Sequence, residues 1–234
     1  MNLVRLSFFI LFLMGGFTGF AQYSQTNKTD ELDRKQGYWK SYDEMGHLKY
    51  EGNFKDDIPY GEFKYYYPNG KIRAISIIFN EGTQSRTQLF HRNQKLMAEG
   101  NYQNQKKDNV WTYFSEYDGA LLSKENYRNG MKDGLWQKFY PNKKVAEKIT
   151  YKDDKEIGAW VQFYTDGSKK TEGFYVDGKK EGKFTFYHSN GKIEANGNYL
   201  NALKEGSWKY YSEYGKLLKE EIYSNGKLVS EKDH

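Results

Sequence analysis

Four histidines, His47, His91, His188 and His234, are the only imidazoles in the chain, and there is no cysteine. Without Cys there is no disulfide framework, thiolate zinc site, iron–sulfur cluster or thiol nucleophile. No H-E-x-x-H, G-x-S-x-G or P-loop pattern occurs. The acid pairs Asp56-Asp57 and Asp153-Asp154 each lie beside Lys in short turn-like segments. Hydrolysis of a glycoside needs two carboxyls facing each other across a sugar, whereas Asp favours turns for backbone reasons. These patterns predict no enzyme, cofactor or metal centre.

Three other sets of residues are suited to binding. Lys71, Lys95, Lys144, Lys192 and Lys216 each follow a turn signal and share one position of a repeating pattern, with His47 at the same place near its start. Such a ladder, with neighbours about 10 Å apart, could meet anionic lipid headgroups, polysaccharide or an acidic protein. It could equally serve only solubility at hairpin turns. Tyr65, Tyr67, Tyr113, Tyr140, Tyr164 and Tyr210, with Phe186 among them, fall on the other strand parity from a second aromatic column. If exposed they form a strip for sugar stacking or peptide capture, and if covered they are cross-strand packing. Ile75, Ile77, Ile78 and Phe79 belong to the most aliphatic stretch beyond the N-terminal segment and form a candidate partner patch.

The elements that position these residues follow from one period. Gly37, Gly61, Ser85, Asn109, Gly134, Gly158, Gly182 and Gly206 fall 24 residues apart, with one step of 25. Two positions later come Trp39, Phe63, Thr87, Trp111, Trp136, Trp160, Phe184 and Trp208; five positions later every residue is Tyr or Phe. About eight tandem units therefore span 37–229. In a typical unit a short aromatic run ends in Pro68-Asn69-Gly70-Lys71, a bulged hairpin turn, and a second half alternates. Ile193, Ala195, Gly197 and Tyr199 point one way, and Lys192, Glu194, Asn196 and Asn198 the other. A second turn, such as Asp177-Gly178, leads into the next unit.

The expected fold is all-β: tandem β-hairpins in an elongated, twisted antiparallel meander sheet. With 22 Tyr, 15 Phe and 5 Trp, rings must supply most of its buried area. Gly52, Gly100, Gly173 and Gly197 leave gaps that a neighbouring ring can cover. The third and sixth columns have opposite parity, so a bulge lies between them or both faces carry rings.

Ahead of the repeats, Arg5, the apolar run Leu6–Met14, and Gly19 and Ala21 have the order of a secretory signal peptide over 1–21. The sequence thus predicts an exported protein, periplasmic, cell-surface or extracellular, with no transmembrane span once the signal is cleaved. A flexible lead-in is expected over 22–36 and a short tail over 230–234. The net charge of +5 comes from interspersed signs, which argues against a nucleic-acid partner.

The columns resemble the bacterial MORN-variant repeat, most closely at Tyr175–Tyr187 and Tyr127–Trp136. That resemblance implies a non-enzymatic platform for protein or lipid partners; one bacterial branch is labelled antitoxin, which implies a toxin partner. The third unit departs from the pattern, with Ser85, Thr87 and Gln94 in place of Gly, aromatic and Gly. A decayed repeat, a bend or a partner-binding patch would each account for it.

Overall fold

The computed structural model describes residues 26–234, so the signal expected over 1–21 lies outside the described residues. Nineteen strands follow one another in chain order. They are β1 (Lys28–Thr29), β2 (Lys35–Tyr42), β3 (Leu48–Lys55), β4 (Ile58–Tyr66), β5 (Ile72–Phe79), β6 (Gln84–Phe90), β7 (Leu96–Gln103), β8 (Lys106–Phe114) and β9 (Leu121–Arg128). Beyond these come β10 (Met131–Lys132), β11 (Gly134–Phe139), β12 (Val145–Lys152), β13 (Lys155–Phe163), β14 (Lys169–Val176), β15 (Lys179–Tyr187), β16 (Ile193–Leu200), β17 (Leu203–Tyr211), β18 (Leu217–Ser224) and β19 (Lys227–Asp233). Each pairs antiparallel with its sequence neighbour; β9 contacts both β10 and β11, which the residue Asp133 separates. Over the described residues the chain is an all-β, open meander sheet without helices, not closed into a barrel.

Two turn types alternate along it. The first turn of a unit closes with Tyr67 N–H to Lys71 O at 2.8 Å and Gly70 N–H to Tyr67 O at 2.9 Å. The second is a two-residue turn with both residues at positive φ, as at Asp56 (54°) and Asp57 (66°) or Asn201 (51°) and Ala202 (69°). Such a turn carries the twist that a right-handed β-ribbon needs. Asn and Asp tolerate that region because their side chains bond locally.

Both alternatives for the parity puzzle hold together. The register shifts within every hairpin just before the sixth-column ring, as between Tyr65 and Tyr66 or Tyr210 and Tyr211. Tyr66 then turns to the face opposite Phe63 and donates its hydroxyl to Glu51 at 2.6 Å. Burial opposes ionisation of Glu51, but hydrogen bonds from Tyr66 and Tyr38 and the charges of Lys40 and Lys64 prevail and hold its carboxyl below the ordinary value.

A second irregularity sits at the glycine column. Between β3 and β4 the pairing jumps from Glu51↔Lys64 to Asn53↔Tyr60, so Gly61 to Phe63 oppose Gly52 alone. Gly61 takes φ 71° at this bulge, a conformation that costs a side-chain-bearing residue about 1 kcal/mol. Ahead of β2, Lys28 and Thr29 of β1 pair with its first residues, Gln36 and Lys35, and the Asn27 side chain exchanges hydrogen bonds with both backbone groups of Lys40, at 2.9 and 2.7 Å. At the far end, residues 230–233 are the second half of β19.

Candidate functional site

One face of the sheet carries the rings. Trp111 and Phe184 are fully buried, and Phe63 and Trp208 nearly so, although the sheet is a single layer. They reach that burial by lying flat over the glycine of the preceding unit: Phe63 over Gly52, Trp111 over Gly100, Phe184 over Gly173 and Trp208 over Gly197. Rings of the next column meet them edge-on, as Phe54 meets Phe63 at 5.2 Å and Tyr199 meets Phe184 at 4.8 Å.

A lysine column closes this row at the second-turn edge. Lys35, Lys107, Lys132, Lys180 and Lys204 stand two residues before the glycine column, and each ammonium lies over two or three rings. Lys132 is 4.5 Å from the Trp136 centroid and 4.7 Å from that of Tyr151; Lys204 is 4.5 Å from Trp208 and 4.6 Å from Tyr223. Each such contact contributes on the order of 0.5–2 kcal/mol. Sequence reasoning missed this column, although its signal, Lys two positions before Gly and four before Trp or Phe, recurs in the chain.

The third unit breaks the pattern at several positions at once. Thr83 replaces the capping lysine, Ser85 the glycine and Thr87 the ring, while Ser76 stands where other units have Gly52, Gly100 or Gly173. With no bulge at Ser85, β5 and β6 pair without a register shift. The two residues saved lengthen the turn from two to four, Asn80–Thr83, which preserves the 24-residue spacing. In place of a ring over glycine, the buried hydroxyls of Ser76 and Thr87 bond each other at 2.8 Å. An open cavity of about 640 Å³ results. Tyr65, Ile78, Leu89, Met97 and Tyr102 wall it, and Arg73 is also at its lining. Burial pushes the phenols of both Tyr65 and Tyr102 up, keeping them neutral.

The sequence-derived candidates distribute differently from one another. The lysine ladder braces the sheet: Lys71 donates to Arg92 O at 3.1 Å and Lys192 to Tyr214 O at 3.0 Å, while Lys95 and Lys144 reach Tyr117 O and Asp166 O in the same manner. Lys216 belongs to the last such hairpin among the described residues. Beside these bonds, Tyr67, Tyr140 and Tyr164 donate to Phe90 O, Phe163 O and Tyr187 O at 2.8, 2.7 and 2.5 Å. His91 and His188 take the same place toward Phe114 O and Tyr211 O. The first turns are thus stitched unit to unit.

The tyrosine strip is not one strip. Tyr65, Tyr113 and Tyr210 share the ring-bearing face: Tyr65 packs on Tyr50 at 6.1 Å, Tyr113 on Trp111 at 6.3 Å, and Tyr210 donates to Glu221 at 2.6 Å. Tyr67, Tyr140 and Tyr164 lie instead at the turns. The aliphatic patch is likewise divided by strand alternation. Ile78 lines the cavity, whereas Ile75, Ile77 and Phe79 fall on the opposite face, where Ile77 and Phe79 are exposed. Among the described residues no group of three His, Asp or Glu side chains could hold a metal ion, and no helix is long and apolar enough to cross a membrane.

The family described as MORN repeat variant matches residues 35–56, 59–78, 132–153, 180–201 and 204–225. The chain belongs to this repeat family. The matches skip 79–131, which contains the third unit. Comparison with curated proteins gives no match. Among solved structures, a chain of "Crystal Structure of TcdB2-TccC3-Cdc42" is similar over 85% of this chain and 15% of that one, at 10% identity and a TM-score of 0.21. This chain therefore spans a small part of that protein's length, and the likeness carries no functional argument.

Proposed function

We propose that this protein is an exported, non-enzymatic interaction platform of the cell envelope, and that it holds a protein partner on its ring-bearing face. The observation that carries this reading is the cavity over Ser76 and Thr87. Elsewhere the units fill their own surface with rings, and here the repeat leaves a walled apolar recess of a size typical of ligand sites. The stitched turns supply a rigid frame, so binding would need little ordering of the sheet. The lysine ladder supports an anionic partner less well, because its ammonium groups already contact backbone carbonyls.

The test is capture from envelope extract of the source with the full chain, compared with Leu89→Arg, which places a charge at the cavity wall. A protein retained in high salt by the native chain and lost by the variant is expected. Retention only in low salt, or retention indifferent to Leu89→Arg, would overturn the reading. A retained toxin would narrow it to an immunity role.

A further inference from the structure

We propose that the cavity over Ser76 and Thr87 receives an aromatic side chain, Trp, Tyr or Phe, from the partner, with its ring where other units place their own. The inference rests on the platform reading and names what that platform recognises.

The argument is one of substitution within a repeating lattice. At the equivalent place in neighbouring units a ring lies over the preceding strand, with a second ring edge-on beside it: Phe63 with Phe54, Trp111 with Tyr102, Phe184 with Tyr175. Over β5 and β6 rings still flank this place. Tyr65 stands on one side and Tyr102 on the other, with Ile78, Leu89 and Met97 between them. The central ring, the edge-on ring before it and the lysine cap are absent, replaced by Thr87, Ile78 and Thr83.

The floor is suited to a visiting ring. The Ser76 and Thr87 hydroxyls satisfy each other at 2.8 Å, and no buried side-chain polar atom of the described residues lacks a partner. An apolar ring therefore leaves no donor stranded on entry. About 640 Å³ exceeds the volume of a single ring, so the adjoining peptide groups enter with it. Arg73, which forms no ion pair among the described residues, lies at the lining and favours a carboxylate next to that ring. The geometry thus selects an aromatic residue followed or preceded by an acidic group.

The probes are N-acetyl-tryptophan, its amide and N-acetyl-leucinamide, titrated into the full chain while methyl resonances of Ala74, Ile78, Leu89 and Met97 are followed. Tryptophan is expected to shift these four methyls selectively through its ring current, the carboxylate form binding more tightly than the amide. Leucinamide should bind at least about tenfold more weakly than the tryptophan amide. The filling variant Ser76→Gly/Thr87→Phe should weaken tryptophan binding by a similar factor, and its strand pairing can be checked in the same spectra. If that variant does not fold, the selectivity between probes in the native chain still decides the matter. Absence of shifts, shifts spread along all units, or equal binding of the leucine probe would overturn the proposal; equal affinity for acid and amide would remove Arg73 from it. Should the probes fail while envelope capture still depends on Leu89, the platform stands and only the aromatic-guest inference falls.

Discussion

The ring of Phe63 lies over Gly52 so closely that a Cβ added to the glycine would come within 2.5 Å of it. Four units build this contact, and it explains how a single-layer sheet buries tryptophan. The glycine has no side chain of its own to bury; it provides the floor for its neighbour's.

Gly52→Ala should therefore force the Phe63 ring away and cost about 1–3 kcal/mol, the range for overpacking a filled core. Gly61→Ala tests a different cause, since nothing lies within 4 Å of its Cβ position and only its φ of 71° is strained. Its cost should be nearer 1 kcal/mol. Urea unfolding of the two variants measures both, and an equal or reversed order would count against ring-over-glycine packing.

Glu221 gives the sheet an acid-sensitive point. Burial opposes its ionisation, but Lys219, Tyr210 and Tyr223 outweigh that and hold its carboxyl down at about 2, below the ordinary 4.5. A lowered folded-state pKa means a contribution fully present above about pH 4.5 that is lost as pH falls toward 2. The loss should be on the order of 1–3 kcal/mol. Comparing urea midpoints at near-neutral and acid pH, the native chain should lose more stability than Glu221→Gln. Parallel acid losses would assign the effect to other carboxylates.

At alkaline pH the sign reverses. Burial, with Glu172 as hydrogen-bond acceptor, pushes the Tyr187 phenol up to about 12, so the folded state resists phenolate formation. Its contribution is complete below pH 10 and declines as pH rises through 12. Tyr187→Phe should flatten the alkaline fall in stability, and an unchanged profile would contradict the assignment.

The turn stitching predicts a structural role for the ladder. Lys71→Gln and Lys192→Gln should each cost up to about 1 kcal/mol and speed amide exchange at the next first turn, near Arg92 and Tyr214. Exchange unaltered at those turns, together with lost binding to anionic vesicles, would restore the ladder to a binding role.

Each unit contacts its neighbours along the meander, so stability should be nearly additive by unit. Removing residues 158–205 joins Ile157 to Gly206 in the register that Gly158 had. The shortened chain should stay folded, with a denaturant slope reduced in proportion to its lost surface. Global unfolding would show that the sheet depends on its full length.

The period of 24 residues, the turn residues and the alternation of Ile193–Tyr199 determined by themselves that the chain folds as tandem hairpins in a meander. These are local signals, repeated until chance is excluded. Even the place of the cavity was marked, because Ser85 and Thr87 visibly break their columns. What they could not show was which face a ring occupies. The bulges before Tyr66 and at Gly61 exchange the two faces, and parity counted along a strand does not survive them. Hence Tyr65 and Tyr67, two residues apart, serve as core packing and turn brace, and the apparent patch at Ile75–Phe79 divides between faces. Only the tertiary structure decided that Lys71, Lys95, Lys144 and Lys192 are spent on carbonyls of the next turn, and that Ser76 and Thr87 bond each other beneath a missing ring. Both depend on contacts between neighbouring strands, whose register is set by the sheet and not by either segment alone.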